Sequence, residues 1–302
     1  SSDVCSSDLH NFLISQPDLN FHNEEVQQQM LDEIEYWLKL GVDGFRFDVI
    51  NFLYHDRGLR DNPAKDPKLV RPLGFNKDNP YGLQIHKYDN TQPETLEYLS
   101  RVRKVLDKYD AISVGEIVSE NPLDVIGEYA NDQRLHMAYC FEFLSEDFNF
   151  SDTNKIVDQF FHNNPNSWPC WSFSNHDSMR IASRVNKPCR EIMQKLMELK
   201  GNICIYQGEE LGLQETEVQF KDLQDPFGKN FWPEFKGRDG CRTPMPWNSN
   251  EINLGFSEKK SWLPVNPDYA PKSVEMQQQN PDSMLNYTKK LIEQRKRGFA
   301  TQ

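Results

Sequence analysis

Gly44-Phe45-Arg46-Phe47-Asp48-Val49-Ile50 is a run of strand length that carries two ionised side chains two positions apart. Side chains alternate between the two faces of a strand, so Arg46 and Asp48 share one face and the apolar residues share the other. Helices cover the apolar faces of parallel strands, which leaves the charged face as the interior or mouth of a sheet or barrel. A charged pair there predicts a functional site, and a structural salt bridge is the alternative.

Helix and strand patterns alternate from Asn23 to the end of the chain. The first helix is expected to begin after Asn23, to end at Gly41 and to bury an apolar stripe. That stripe consists of Val26, Met30, Ile34, Trp37 and Leu38. Further strands are expected over residues 111–116, 136–143, 171–175 and 203–206, and further helices from Pro93 and over residues 122–130, 152–162, 188–200 and 281–297.

This alternation implies parallel crossovers, as in a doubly wound sheet or a TIM-type barrel. Polar residues follow three different strands, at Asp48, Glu116 and Asn175–Asp177, which favours the barrel. No glycine-rich phosphate loop follows a strand, which argues against a nucleotide-binding sheet. Five strands are visible and closure needs eight, so we expect the latter part of a barrel.

The composition is that of one large acidic domain. The chain has 302 residues, a net charge of -12 and 37% hydrophobic residues. This charge argues against nucleic acid and anionic membranes as partners, and no apolar run reaches the length of a membrane span. The six cysteines are scattered without a CxxC motif, which predicts neither a zinc site nor a disulfide framework. We expect a cytoplasmic protein without cofactor or metal.

Residues 1–9 differ in character from the rest of the chain. The segment SSDVCSSDL contains Ser-Ser-Asp twice and has no apolar periodicity, whereas ordinary globular sequence begins near His10. One nine-base unit would encode both copies of the tripeptide, as expected for a repeated sequencing adapter. We interpret residues 1–9 as a non-native segment, and a native polar loop is the alternative.

Carboxylates at strand ends, without a metal motif or an activated Ser or Cys, fit glycoside hydrolysis best. That chemistry needs one protonated carboxyl group, which donates to the leaving oxygen, and one ionised group, which attacks or activates water. Arg46 beside Asp48 favours the ionised form of that carboxyl group. Glu116 follows an apolar strand, so we expect apolar surroundings that favour its protonated form. A solvated or salt-bridged glutamate is the alternative for Glu116.

Several motifs resemble those of the α-amylase family, glycoside hydrolase family thirteen. Gly44–Asp48, Val114–Glu116 and Ser174–Asp177 resemble its catalytic motifs and occur in the same order. Gln16–Asn20 and Arg238–Trp247 are typical of its bacterial α-glucosidase and oligo-1,6-glucosidase branch. The resemblance extends from about His10 to the C-terminus.

The resemblance implies a retaining, exo-acting α-glucosidase that hydrolyses short α-glucosides of the maltose or isomaltose type. In the family pattern Asp48 is the nucleophile, Glu116 is the acid/base and Asp177 stabilises the transition state.

The resemblance assigns substrate-binding roles to three further residues. Arg46 orients the nucleophile, His176 binds sugar hydroxyl groups, and Arg242 closes the glucose pocket. The acidic partner of Arg242 is expected in a part of the family fold that precedes this sequence.

Measured against that family fold, the sequence is expected to hold a partial TIM-type (β/α)8 barrel lacking its first three strands. Residues 10–302 would then be the C-terminal part of the catalytic barrel, and the family's C-terminal β-domain would be absent. We expect such a fragment to be inactive by itself.

Linkage preference is left open by two conflicting signals. In the family, a Val after the nucleophile, here Val49, accompanies α-1,6 activity, whereas Phe52–Pro63 resembles α-1,4 enzymes that act on disaccharides. The alternatives are an oligo-1,6-glucosidase, a sucrose-isomerising transglucosidase and, in another class, a non-catalytic amylase-like transporter subunit. Such subunits are distinguished by a membrane anchor and by lost catalytic carboxylates.

Overall fold

The computed structural model describes residues 8–66, 80–119, 122–145 and 148–300, in which strands and helices alternate along the chain. The strands are β1 Gly44–Phe47, β2 Ile112–Gly115, β3 Met137–Cys140, β4 Pro169–Trp171 and β5 Asn202–Ile203. The helices are α1 Glu24–Lys39, α2 Pro93–Asp107, α3 Pro122–Tyr129, α4 Thr153–Asn163, α5 Ile181–Arg184, α6 Cys189–Glu198, α7 Pro226–Asn230, α8 Val274–Gln279 and α9 Met284–Ala300.

The five strands follow chain order in the sheet, from β1 to β5. Strand β1 pairs in parallel with β2, and Arg46 lies opposite Val114. Strand β2 pairs in parallel with β3, and Val114 lies opposite Met137. Consecutive parallel order with helices between the strands is the arrangement of a (β/α)8 barrel wall, so the predicted α/β class is confirmed.

The chain divides into two compact units. Within the described ranges, the first unit comprises residues 8–66, 80–140 and 159–170, and the second comprises residues 141–158 and 171–300. No helix in these described ranges has the length and apolar character needed to cross a bilayer. Residues 1–7, which contain the first Ser-Ser-Asp copy and Ser6 and Ser7 of the second, lie outside the described residues.

In the first unit, helices α1 and α2 cover the apolar face of β1. Leu38 of α1 and Val102 and Leu106 of α2 are buried in one cluster, and Phe45 and Phe47 pack against it. The predicted division of β1 into a helix-covered apolar face and a charged face is therefore confirmed.

The stripe predicted for α1 is wrong at one position, because Trp37 is 50% exposed. The buried residues of this helix are Leu31, Ile34 and Leu38. Positions three and four apart lie on the same helical face, whereas Trp37 is turned about 100° from Leu38. The predicted start is confirmed, since the Asn23 side chain accepts a hydrogen bond of 2.9 Å from the main-chain N–H of Glu25.

All five predicted strands end earlier than expected. Strand β1 stops at Phe47, and Val49 follows with a left-handed φ of 35°. Strand β4 spans Pro169–Trp171 instead of reaching residue 175, and β5 spans Asn202–Ile203 instead of reaching residue 206. Side chains take over the main-chain hydrogen bonds beyond these ends: the N–H of Tyr206, for example, donates to a carboxylate oxygen of Glu209.

In the second unit, buried apolar residues join the later loops to α8 and α9. The cluster contains Leu211, Leu213, Met245, Leu254 and Tyr269. A side chain of α9 also caps the C-terminal end of α6, because Arg295 Nη1 donates to the carbonyl oxygen of Leu199 at 2.8 Å. Charged donors near a helix end satisfy carbonyl groups that lack partners within the helix.

The packing of α1 on α2 predicts a stability difference between two leucines. Leu106 is fully buried, whereas Leu40 is 62% exposed. We expect Leu106→Ala to lower the free energy of unfolding by about 2 to 5 kcal/mol, because the lost methyl groups leave a cavity. Urea denaturation measures this change.

The control is Leu40→Ala, which we expect to change stability by less than about 0.5 kcal/mol. Equal effects of the two substitutions would contradict the assignment of this cluster as the core of the first unit.

Candidate active site

Main-chain hydrogen bonds hold the ends of β1 and β2 together beyond the strands. The N–H of Glu116 donates to the carbonyl of Phe47 at 2.8 Å, and the N–H of Ile50 donates to the carbonyl of Glu116 at 3.0 Å. Asp48 and Val49 lie between these two bonds and are displaced from the ladder. This arrangement explains the left-handed φ of Val49, which is a strained conformation for a β-branched residue.

Gly115 allows this close approach. A Cβ atom at Gly115 would lie 2.4 Å from Cδ1 of Leu135 and 3.4 Å from Cγ2 of Ile50. Real Cβ atoms do not approach heavy atoms to 2.4 Å, so a larger residue at Gly115 would displace its neighbours. The glycine thus lets β2 pack tightly just before it delivers Glu116.

Arg46 hydrogen-bonds to both strand-end carboxylates. Its Nη1 donates to Oδ1 of Asp48 at 2.6 Å, and its Nη2 donates to Oε2 of Glu116. The Asp48 side chain is 70% exposed, whereas that of Glu116 is 7% exposed. The expectation that Glu116 lies in apolar surroundings is therefore wrong, because the partner of this buried carboxyl group is a guanidinium.

The two carboxylates also act on Arg46. Burial lowers the pKa of Arg46, but its hydrogen bond to Asp48 and the charge of Glu116 outweigh burial and raise that pKa above the ordinary value. The ring of Tyr139, on β3, lies with its centroid 6.0 Å from the guanidinium carbon. Arg46 thus stays charged and is held between groups from three strands.

A buried amide fixes the loops that follow these two strands. Asn51 is fully buried, and its Nδ2 donates to Oγ1 of Thr91 and to the carbonyl of Val118, both at 2.9 Å. Its Oδ1 accepts from the N–H of Val118 at 3.2 Å. Since Asn51 follows Asp48 and Val118 follows Glu116, the amide ties together the segments that carry the two acids.

The second unit contains a different ionic cluster, centred on Asp177. Oδ1 of Asp177 accepts from Nη1 of Arg238 at 2.9 Å and from Nη2 of Arg242 at 2.7 Å. Nε2 of His176 lies 3.2 Å from the other carboxylate oxygen, and Nε of Arg242 donates to the main-chain carbonyl of His176 at 2.6 Å. Within the described residues, Asp177 is the carboxylate that pairs with Arg242, and the expected partner in the preceding part of the family fold stays a prediction.

Arg238 is itself held by a fully buried carboxylate. The Asp225 side chain accepts from Nε and Nη2 of Arg238, each at 2.9 Å, and from the main-chain N–H of Arg238 at 2.8 Å. Burial raises the pKa of Asp225, but these hydrogen bonds outweigh burial and keep that pKa below the ordinary value. The guanidinium is therefore fixed on one side, and its Nη1 remains for Asp177.

Gly240 brings the arginine-bearing loop close to a neighbouring segment. A Cβ atom at Gly240 would lie 2.2 Å from Oε1 of Glu215 and 2.5 Å from the carbonyl oxygen of Thr216. The N–H of Thr216 donates to the carbonyl of Gly240 at 3.2 Å. A side chain at Gly240 would therefore push away the turn Asp239–Cys241, which separates Arg238 from Arg242.

The six predicted site residues fall into two groups, Arg46, Asp48 and Glu116 in the first unit and His176, Asp177 and Arg242 in the second. The sequence prediction missed Arg238 and Asp225 as members of the second group. Asp225 precedes Pro226 and caps α7, which marks a helix start in the sequence. No sequence signal links that cap to an arginine thirteen residues later.

The family is shown by comparison with known proteins. The family model described as alpha amylase, catalytic domain, matches residues 6–301 of the chain. The chain therefore belongs to the alpha-amylase family, a family of glycoside hydrolases. The family resemblance predicted from the motifs is confirmed.

Similar proteins include enzymes of hydrolysis and of transfer. The probable alpha-glucosidase of Rhizobium meliloti (strain 1021) is 46% identical over 299 residues, which are 95% of this chain and 54% of that protein. The oligo-1,6-glucosidase of Parageobacillus thermoglucosidasius is 31% identical over 330 residues, covering 95% of this chain and 56% of that protein. The crystal structure of the alpha-glucosyl transfer enzyme XgtA superposes with a TM-score of 0.90 at 48% identity, covering 95% of this chain and 55% of that one. The chain thus spans about half the length of the curated relatives it matches.

The buried Asp225–Arg238 pair predicts a pH-dependent stability difference. We expect Asp225→Asn to lower the free energy of unfolding at pH 7 by about 2 to 4 kcal/mol, because Arg238 loses its buried counter-charge. The folded-state pKa of Asp225 is lowered from its ordinary value of 3.8. Its stabilisation is therefore present above pH 3.8 and is lost as the pH falls through the lowered pKa.

Urea denaturation at pH 7 and at successively lower pH measures the free energy of unfolding of the unmodified protein and of Asp225→Asn. We expect the difference between the two proteins to become smaller in acid. The matched control is Asp268→Asn, because Asp268 is exposed in the same unit. A difference in the free energy of unfolding that stays constant as the pH falls would contradict the ionic role of Asp225.

Proposed function

We propose that the protein is a retaining, exo-acting α-glucosidase that hydrolyses short α-glucosides through a covalent glucosyl-enzyme intermediate. The observation that carries this proposal is the pair of strand-end carboxylates, Asp48 and Glu116, that share the guanidinium of Arg46. Retaining glycosidases need two carboxyl groups close together, one as nucleophile and one as acid/base.

Asp48 is the proposed nucleophile. It is the more exposed of the two acids, so it can meet the anomeric carbon, and its hydrogen bond to Arg46 favours the ionised form. Attack by Asp48 forms an ester bond to the sugar and breaks the glycosidic bond. The carboxylate loses its negative charge in this step.

Glu116 is the proposed acid/base, and the shared Arg46 couples its charge to that of Asp48. While Asp48 is ionised, it competes for the positive charge of Arg46, which leaves the buried Glu116 able to hold the proton that it gives to the leaving oxygen. Once Asp48 is esterified, the charge of Arg46 stabilises the ionised Glu116. The ionised Glu116 then takes a proton from water, which attacks the anomeric carbon and releases Asp48.

The Asp177 cluster is the proposed binding site for the glucose unit. Asp177, His176 and Arg242 present acceptors and donors that suit sugar hydroxyl groups, and Arg238 adds a fixed positive charge. In this role Asp177 stabilises the oxocarbenium-like transition state through the hydroxyl groups, and Arg242 closes the pocket beyond the terminal glucose. Such closure is what an exo-acting enzyme requires.

Glucosyl transfer is the second candidate function. The structure with a TM-score of 0.90 is that of an alpha-glucosyl transfer enzyme, and an isomaltulose synthase from Erwinia rhapontici NX5 superposes at 26% identity. Transfer uses the same covalent intermediate, with a sugar hydroxyl group in place of water. A non-catalytic transporter subunit is disfavoured, because Asp48, Glu116 and Asp177 are all present.

The proposed roles predict distinct behaviour of two variants. In the protein expressed from its complete reading frame, we expect Asp48→Ala and Glu116→Gln each to reduce turnover of a nitrophenyl α-glucoside about a thousandfold or more. Azide is expected to rescue only Asp48→Ala, with release of a β-glucosyl azide, because azide replaces the missing nucleophile.

The control is Asp43→Ala, which removes an exposed carboxylate at the opposite end of β1. We expect this variant to retain near-normal turnover. Near-normal turnover of Asp48→Ala, or azide rescue of Glu116→Gln alone, would overturn the assignment.

Linkage preference is expected to depend on Val49, which directly follows the proposed nucleophile. We expect activity on both maltose and isomaltose. Val49→Thr is expected to lower the isomaltose-to-maltose ratio of kcat/KM by a factor equivalent to about 1 to 3 kcal/mol of pocket contact. Both residues are β-branched, so the main-chain strain is similar in the two proteins.

The ratio is measured with both substrates side by side, and Val42→Thr on the other side of β1 serves as the control. An unchanged ratio in Val49→Thr would rule out contact between Val49 and the leaving sugar.

A further inference from the structure

Arg180 is a buried cation that the proposed mechanism does not use. It follows Asp177 by three residues, and only 1% of its surface is exposed. A guanidinium in such a position is costly unless hydrogen bonds and counter-charges compensate for the loss of water. The partners of Arg180 therefore indicate what this residue stabilises.

Two main-chain carbonyl groups accept hydrogen bonds from the guanidinium. Nη1 donates to the carbonyl of Gln207 at 2.5 Å, and Nη2 donates to the carbonyl of Cys241 at 2.9 Å. The guanidinium carbon lies 5.2 Å from the centre of the Tyr206 ring, and the hydroxyl group of Tyr206 donates to the same Cys241 carbonyl at 3.0 Å. Burial raises the pKa of Tyr206 to about 12, so this hydroxyl group remains a donor at neutral pH.

Three buried or partly buried carboxyl groups interact electrostatically with Arg180. Burial raises the pKa of Glu209 to about 7 and also raises the pKa values of Glu210 and Glu215, while the positive charge of Arg180 opposes each shift. Oε2 of Glu215 also accepts from the main-chain N–H of Arg180 at 2.8 Å. Arg180 thus supplies the counter-charge for this buried acidic group.

These contacts connect the segments that carry the two members of one ion pair. Arg180 lies on the segment of His176 and Asp177, and the Cys241 carbonyl that it holds directly precedes Arg242. Arg242 in turn donates to the His176 carbonyl at 2.6 Å and to Asp177 at 2.7 Å. We propose that Arg180, together with Tyr206, is a positioning residue that aligns Arg242 with Asp177 for recognition of the terminal glucose unit.

The inference rests on the proposed function for its link to glucose, whereas the alignment itself is a property of the fold. Arginine suits the task because its planar fork reaches two acceptors at once, which an ammonium group on a flexible stem does less well. The variants for the test are therefore Arg180→Lys, which keeps the charge, and Tyr206→Phe, which removes one hydrogen bond and keeps the ring.

The first measurement is independent of activity. In a nitrogen–proton NMR spectrum of the arginine Nε–H groups, the signal of Arg242 is identified by its absence in Arg242→Lys. We expect this signal in the unmodified protein, because Nε of Arg242 donates to the His176 carbonyl. We expect it to be lost or shifted in Arg180→Lys and Tyr206→Phe.

The control is Tyr287→Phe, which removes a hydroxyl group that donates to exposed Gln194 in the same unit. This variant is expected to leave the Arg242 signal in place. An Arg242 signal unchanged in Tyr206→Phe would overturn the positioning role. If Arg180→Lys does not fold, Tyr206→Phe decides the question alone.

The second measurement uses hydrolysis of a nitrophenyl α-glucoside by the protein expressed from its complete reading frame. We expect Tyr206→Phe to raise KM about tenfold and to change kcat less than about twofold, as for the loss of a binding contact. In an Arg242→Ala background, Tyr206→Phe is expected to have no further effect, because both act through the same side chain.

Effects of Tyr206→Phe and Arg242→Ala that multiply in the double variant would overturn the inference. A protein without glucosidase or glucosyl-transfer activity would overturn the proposed function instead, and loss of the NMR signal in Tyr206→Phe would still support the alignment of Arg242. The two failures are therefore distinguishable.

Discussion

The hydrogen bonds from Arg46 to Asp48 and Glu116 couple the two carboxylates that follow β1 and β2. One cation serves two acids, so a change in the charge of either acid alters the environment of the other. Parallel pairing of β1 with β2 sets the separation of the segments that carry them, and Asn51 fixes the loops that follow. A reaction that alternately neutralises and regenerates one carboxylate can use this coupling without moving the main chain.

The second unit has the reverse arrangement, in which several basic side chains contact one carboxylate. There one carboxylate, Asp177, lies among His176, Arg238 and Arg242, and a buried acid, Asp225, offsets part of the positive charge from behind. Positive charge in excess around one acceptor suits the recognition of neutral hydroxyl groups, because donors remain after the ionic contacts are made. Under the proposed function, the carboxylates of the first unit carry out the reaction and the cluster of the second unit recognises the sugar.

Sequence patterns predicted the order of the five strands and of the longer helices, because alternation is a local signal. Polar strand ends and the motif resemblance predicted six members of the two ionic groups, but not Arg238 and Asp225. They failed where tertiary contacts decide the outcome. The spacing of Trp37 from the buried residues of α1 matches the helical period only approximately, and its side chain is exposed. The partner of Glu116 lies 70 residues away, and Asp225 reaches an arginine across a loop. Long-range pairing of charges leaves no periodic trace in a single sequence.

The displacement of Asp48 and Val49 from the ladder has an evolutionary consequence. Main-chain hydrogen bonds of Phe47 and Ile50 with Glu116 fix the chain before Asp48 and after Val49. The position of Asp48 therefore depends little on the side chain at Val49. Mutation and selection can therefore vary the residue at Val49 without relocating the neighbouring carboxylate. If Val49 has the proposed role in linkage preference, a single substitution at this position would change specificity and leave the reacting carboxylate in place.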